Sequence, residues 1–213
     1  MNKIPPKNHK IKICGITNKK DAFAIARLKP DYLGFIFNYP KSPRNVKNNF
    51  VRDIILLLRK KYKNKIRFVG VLVNQEVREV QRIMEICNLD IVQLHGDETP
   101  AYINELKKIC NKEIWKTVIL KTKTDKEKIK KYRHVADKIL FDSGKGNGNK
   151  IKSYLLKGQQ TDILAGGLGV HNIENVLAIV SPDIIDANSK LESSPGKKNI
   201  RLVAEFINKV RKV

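Results

Sequence analysis

The chain has 213 residues, 41% apolar and 30% charged, a composition that excludes disorder and fits one domain, or at most two small ones. Lys and Arg outnumber Asp and Glu by 43 to 21, giving a formal net charge of +22 that suits an anionic partner. The longest aliphatic stretch, Ile54 to Leu58, is bracketed by Asp53 and Arg59, and the opening MNKIPPKNHK lacks an apolar core; neither a membrane span nor a signal peptide is expected.

Short β-branched runs recur along the chain: IKICGI (11–16), YLGFIF (32–37), IRFVGVLV (66–73), IVQLHG (91–96), IWKTVIL (114–120), KILFDS (138–143), TDILAGG (161–167) and DIIDAN (183–188). Helical periodicity separates most of them. NKKDAFAIARLK (18–29) sets Ala22, Ile25 and Ala26 on one face, and 50–62, 76–87 and 199–210 repeat the pattern. Asn18, Thr99, Asn172 and Asn199 are placed to cap helices. The weakest helix lies between the sixth and seventh strands, near KIKSYLL. Eight strands alternating with helices predict a parallel sheet covered by helices. Eight is the closure number of a (β/α)8 TIM barrel, read here as one domain over residues 1–213. A doubly wound open sheet is the alternative, and it usually has fewer strands.

Chemistry in such a barrel sits where the strands end. Cys14, Asn74, His95, Asp142, Gly166, Gly167 and Asp186 all fall at or just past predicted strand ends, and Arg44 lies in the loop after the second strand. Each has an ordinary reading beside its chemical one. Cys14 is a small core residue, or a base or nucleophile if nearby positive charge lowers its pKa. Asp142 caps the turn before SGKGNG, or acts as an acid opposite Cys14 across the mouth. Arg44 is an exposed loop residue or a two-pronged carboxylate clamp. His95 is structural or a donor to a ligand, and its surroundings lack metal-ligand spacing. LAGGLG (164–169) follows a strand and opens a helix, which suits phosphate capture by backbone N–H groups. GKGNGN (144–149) lacks the ending of a P-loop and reads better as a lid beside Asp142.

Cys14, Cys87 and Cys110 fit neither a zinc site nor a disulfide framework, so a reducing, cytoplasmic setting is the default. The positive charge reads either as a nucleic-acid or acidic-membrane surface or as solvated lysine-rich helix faces. The lysines are scattered without interleaved aromatics, so a nucleic-acid partner is not expected.

KICGIT, LGFIF…SPR, VGVLVN, VQLHGDE, LFDSGKGNG, ILAGGLG…NI and DANSKLESSPGKKN occur in this order nearly end to end. In them the chain resembles the phosphoribosylanthranilate isomerase family of tryptophan biosynthesis. The resemblance implies a cofactor-free Amadori rearrangement of N-(5′-phosphoribosyl)anthranilate, an anionic small molecule, by a monomer or homodimer. It implies Cys14 as general base and Asp142 as general acid. It puts Arg44 on the anthranilate carboxylate and Gln93 and His95 in the binding site. Gly166 and Gly167 fall on the phosphate, with Asp186, Asn188 and Ser189 beside it. A basic protein with Arg44 across the mouth is expected to bring the Cys14 thiol below its free value of about 8.5. Two positions depart from the family pattern: Asn149 stands for a usual lysine, and Lys190 for a usual glycine or alanine. A positive φ at Lys190 would strain the backbone. Three other readings are weighed: the related isomerase of histidine biosynthesis, which uses two aspartates; a basic nucleic-acid binder; and a barrel retained without activity.

Overall fold

The computed structural model describes residues 8–120, 122, 125–142, 156 and 160–213. Each predicted strand is present: β1 (Lys10–Ile13), β2 (Tyr32–Phe37), β4 (Arg67–Leu72), β5 (Ile91–Leu94), β6 (Glu113–Ile119), β7 (Lys138–Asp142), β8 (Ile163–Leu164) and β9 (Ile184–Ala187). A two-residue strand, β3 (Asn45–Val46), follows β2, and a small hairpin of β10 (Glu192–Ser194) and β11 (Lys197–Lys198) follows β9. The eight main strands pair in parallel, and β1 bonds to both β2 and β9, so the sheet closes. The doubly wound alternative is excluded by that closure. The fold is a (β/α)8 TIM barrel.

The helices are α1 (Lys19–Arg27), α2 (Asn48–Tyr62), α3 (Val77–Ile86), α4 (Pro100–Ile109), α5 (Lys126–Arg133), α6 (Ile173–Leu177) and α7 (Ile200–Lys212). The apolar stripe of α1 buries Ala22, Ile25 and Ala26, as its spacing requires. Asn18, Thr99 and Asn199 accept hydrogen bonds from backbone N–H groups of the first turns they precede. Asn172 does not cap α6; its side chain serves the preceding loop instead. The helix expected near KIKSYLL, apart from Leu156, and the GKGNGN loop with Asn149 lie outside the described residues. Among the described residues no helix is long and apolar enough to cross a membrane.

Alternation along each strand divides two cores. Outward residues such as Ile11, Ile13, Leu33 and Phe35 pack against the helices. Inward residues at the lower end, among them Tyr32, Val69, Ile91, Trp115, Leu140 and Ile163, form a separate apolar plug. Tyr32 and Trp115 meet edge to face at 5.2 Å, an arrangement that contributes about 0.5–1.5 kcal/mol beyond area burial. This plug shuts the bottom of the barrel. Inward positions above it mix polar residues such as Gln93 and Asp186 with apolar ones such as Ile36 and Val71, and they line a cavity.

Candidate active site

A cavity of about 480 Å³ occupies the mouth. All ten residues that the family resemblance puts in the site line it: Cys14, Arg44, Gln93, His95, Asp142, Gly166, Gly167, Asp186, Asn188 and Ser189. Asn74 falls elsewhere; its side chain takes the Asp97 N–H and fixes the loop after β5.

Cys14 directly follows β1 and is 5% exposed. Gly15 then turns with φ +73°, and a Cβ there would come within 2.7 Å of the Arg44 side chain, so the turn after the thiol requires glycine. Gly34 on β2 faces Cys14 from the next strand. A Cβ on Gly34 would stand 2.7 Å from Sγ and 3.1 Å from Cε of Lys12. The glycine makes room for both side chains. Lys12, two residues before Cys14 on the same face of β1, is fully buried and donates to Oδ2 of Asp186 at 2.7 Å. The strand register places Lys12 directly beside Asp186 on β9. Burial pushes the Cys14 thiol up, and the neighbouring Lys12 ammonium only partly opposes it. The expected lowering of this thiol is therefore corrected: the free pocket desolvates Cys14 more than its cations relieve it.

Asp142 ends β7 and is 8% exposed. His95 Nε2 lies 3.9 Å from Asp142 Oδ2. His95 Nδ1 receives the Gln93 side-chain amide at 3.2 Å and lies 3.0 Å from Thr117 Oγ1. Gln93 and Thr117 thus hold the ring from its Nδ1 side and leave Nε2 toward Asp142. The QLHGDE loop is held from below by buried Glu98, which accepts from the Asn74 and Gly96 N–H groups and pairs with Lys116 at 2.7 Å.

Arg44 is committed to a partner the sequence did not disclose. Its Nε and Nη2 donate to the two oxygens of Glu192 at 2.9 and 2.7 Å, a fork on one edge of the guanidinium. Among the described residues the Nη1 edge makes no such bond. Glu192 also takes Lys198 Nζ at 2.8 Å, and Lys198 reaches Oδ1 of Asn188 at 2.7 Å. Those bonds hold Glu192 below the usual carboxyl range despite its burial.

Gly166 and Gly167 bend with φ +99° and +64° after β8. Asn172 clamps this loop, its amide donating to the Gly167 carbonyl and its oxygen accepting from Gly169 N–H, both at 2.9 Å. The helix that follows, α6, is only five residues long, so the loop backbone matters more than a helix dipole. Lys190 sits in a short 3-10 turn, Ser189–Leu191, and is absent from the positive-φ residues, so the lysine carries no backbone strain. Asp186 lies in the wall below Cys14, bound to Lys12 instead of standing free beside the glycine loop. Its Oδ1 and Gln93 Oε1 are buried acceptors without a hydrogen bond.

Sequence reasoning missed Lys12, Glu192 and Lys198. For Lys12 a signal existed, since period-2 alternation puts it on the inward face with Cys14.

Residues 11–209 match the family model described as N-(5′phosphoribosyl)anthranilate (PRA) isomerase. The N-(5′-phosphoribosyl)anthranilate isomerase of Thermoanaerobacter pseudethanolicus is 38% identical over 208 residues, covering 95% of this chain and 98% of that protein. The enzyme of the same name from Clostridium acetobutylicum is 37% identical over 213 residues, covering 95% and 98%. The crystal structure of phosphoribosyl anthranilate isomerase from Thermotoga maritima superposes with a TM-score of 0.86 at 28% identity, over 96% of this chain and all of that one. A further isomerase structure, in complex with reduced 1-(o-carboxyphenylamino)-1-deoxyribulose 5-phosphate, gives 0.83 at 27% identity, with coverage of 96% and 100%. With its closed barrel, this chain belongs to the phosphoribosylanthranilate isomerase family, isomerases of tryptophan biosynthesis.

Proposed function

We propose that this chain converts N-(5′-phosphoribosyl)anthranilate to 1-(2-carboxyphenylamino)-1-deoxyribulose 5-phosphate, with Asp142 as general acid and Cys14 as general base. The observation that carries this reading is the meeting of a thiol, a carboxyl, an arginine and a double-glycine loop in one cavity above a closed barrel floor. Asp142 gives its proton to the furanose ring oxygen as the C1′–O bond breaks, leaving a Schiff base on the anthranilate nitrogen. The Cys14 thiolate takes the C2′ proton, and the electron pair forms the enolamine. Ketonisation adds a proton at C1′ and releases one from the C2′ hydroxyl. A final exchange through water returns the thiol's proton to solvent and one to Asp142.

Substrate charge maps onto the wall. The free edge of Arg44 receives the anthranilate carboxylate, and the Gly166–Gly167 backbone, with Asn188 and Ser189, receives the phosphate. Asp186 and Gln93 line the cavity beneath the sugar, and each keeps one buried oxygen without a hydrogen bond. Electron density flows to the substrate's own nitrogen, so this chemistry uses no cofactor. The two-aspartate alternative is disfavoured because a thiol stands at the end of β1. One barrel domain over residues 1–213, working in the cytoplasm as a monomer or homodimer, completes the reading.

A direct isomerase assay tests it, together with calorimetric titration of Gly167→Val with the reduced product analogue. A valine side chain at φ +64° distorts the phosphate loop and fills it, so analogue binding is expected to disappear in a folded variant. Unchanged affinity would remove the phosphate from this loop.

A further inference from the structure

A fully buried lysine inside the barrel has no part in floor packing and needs a reason. Lys12 is 0% exposed, and only one carboxylate, Asp186, is bonded to it. Burying such a pair seldom stabilises a fold more than apolar side chains of the same volume. Lys12 and Cys14 occupy consecutive inward positions of β1, and Gly34 leaves its own side of the barrel empty where both side chains crowd.

The charges around Cys14 do not balance while the thiol is neutral. Lys12 from β1, Lys198 from β11 and Arg44 from the loop before β3 contribute three positive charges. Asp186 from β9 and Glu192 from β10 contribute two negative ones. Across the mouth, His95 on the β5 side faces Asp142 of β7 with Nε2 3.9 Å from Oδ2. A thiolate at Cys14 would bring the cluster to neutrality. Of the three cations, Arg44 and Lys198 are both engaged by Glu192, whereas Lys12 shares with Cys14 the space that Gly34 leaves, a Cβ there standing 3.1 Å from Lys12 Cε and 2.7 Å from Cys14 Sγ.

We propose that Lys12 is a positioning residue for the isomerisation: its ammonium, anchored by Asp186 beneath the thiol, is the counter-charge that makes Cys14 available as a thiolate. Lys12 touches no reacting atom and acts through Cys14. The inference rests on the reading of Cys14 as the base. Coulombic pull from Lys12 opposes the burial that pushes the thiol up, in agreement with this geometry.

The test follows the Cys14 thiolate by its ultraviolet absorbance during a pH titration, with Cys14→Ser subtracted as the blank, beside the pH profile of kcat. Lys12→Met matches the lysine stem in length and removes the charge. It is expected to move both the titration and the rising limb of kcat to higher pH by about one unit or more, a roughly tenfold loss of turnover at neutral pH. Asp186→Asn removes the anion beside the same thiol while Lys12 stays, and is expected to move the titration the opposite way. Should Lys12→Met fail to fold, Lys12→Met/Asp186→Asn leaves no buried unpaired charge and is expected to fold and still titrate above wild type. A merely structural lysine would lower the thermal midpoint without moving either curve. Wild-type curves in the folded Lys12 variants, with Cys14→Ser inactive, would overturn the role of Lys12 alone. An active Cys14→Ser would overturn the base assignment on which it stands.

Discussion

Cys14 and Asp142 face the same cavity from two walls built of different materials. On the β1–β9 wall the thiol stands among five formal charges, with Lys12 fully buried and Arg44 forked onto Glu192. On the β5–β7 wall Asp142 faces the His95 imidazole, itself oriented by Gln93 and Thr117. The proposed acid and base would need such unlike settings to work at one pH, because only a difference in environment separates their protonation states. The charged wall can receive an anion, while the opposite wall turns an imidazole nitrogen toward the carboxyl.

The largest effects come from deleting either partner. Asp142→Asn keeps the shape and hydrogen-bonding capacity of the carboxyl and removes the transferable proton. Its turnover is expected to fall by at least about 10²-fold while analogue binding survives. Cys14→Ser is expected to fall as far, since a hydroxyl supplies almost no anion at neutral pH. Measuring kcat and thermal midpoint on the same samples separates chemistry from packing. A destabilised but active Cys14→Ser would return the cysteine to the core.

Arg44→Met tests a smaller element of the charged wall. Losing a charged hydrogen-bond donor to the anthranilate carboxylate is expected to raise KM roughly ten- to hundredfold, with a lesser change in kcat. Glu192 keeps Lys198 in that variant, so the hairpin of β10 and β11 retains its anchor. A kcat defect with unchanged KM would assign Arg44 to the chemistry instead.

What was legible in the sequence follows from local pattern. Eight β-branched runs at regular spacing are enough to count a barrel, and three of four cap residues act as caps because that bond forms within three residues. Asn172 fails as a cap because a stronger use for its amide, two bonds across the Gly167–Gly169 turn, lies on the other side. Most residues read at strand ends, Cys14, His95, Asp142, Gly166, Gly167 and Asp186, line one cavity because strand ends converge in any such barrel, whereas Gln93, Asn188 and Ser189 were named only through the family resemblance. Their partners could not be named. Arg44 and Glu192 are 148 positions apart and Lys12 and Asp186 are 174 apart, so only the closed register brings them together. The direction of the Cys14 shift was missed for the same reason. Net charge counts cations but says nothing of how deeply a thiol is buried.

The smallest effect sharpens the contrast by using a thiol with no cation bonded to it. Cys87, at the end of α3, is buried and donates to the Asn48 carbonyl at 3.4 Å. Burial pushes its thiol up from the ordinary 9.0 to about 11. In the unfolded chain this thiol loses its proton near pH 9, while the folded chain keeps it until about pH 11. Between those values the folded state binds more protons, so the contribution is complete below the unfolded pKa and is lost as pH rises. Tyr102 is also pushed up by burial and adds a slope of the same sign, so the wild-type decline is a sum. The difference between wild type and Cys87→Ala isolates one thiol. Thermal midpoints across the alkaline range are expected to fall less steeply in Cys87→Ala, and kcat at neutral pH is expected to stay unchanged because the residue lies far from the mouth in the helix-facing core. Equal alkaline slopes in the two proteins would mean that Cys87 ionises in the folded state as readily as in the unfolded one, and burial without a bonded cation would then not be what distinguishes it from Cys14.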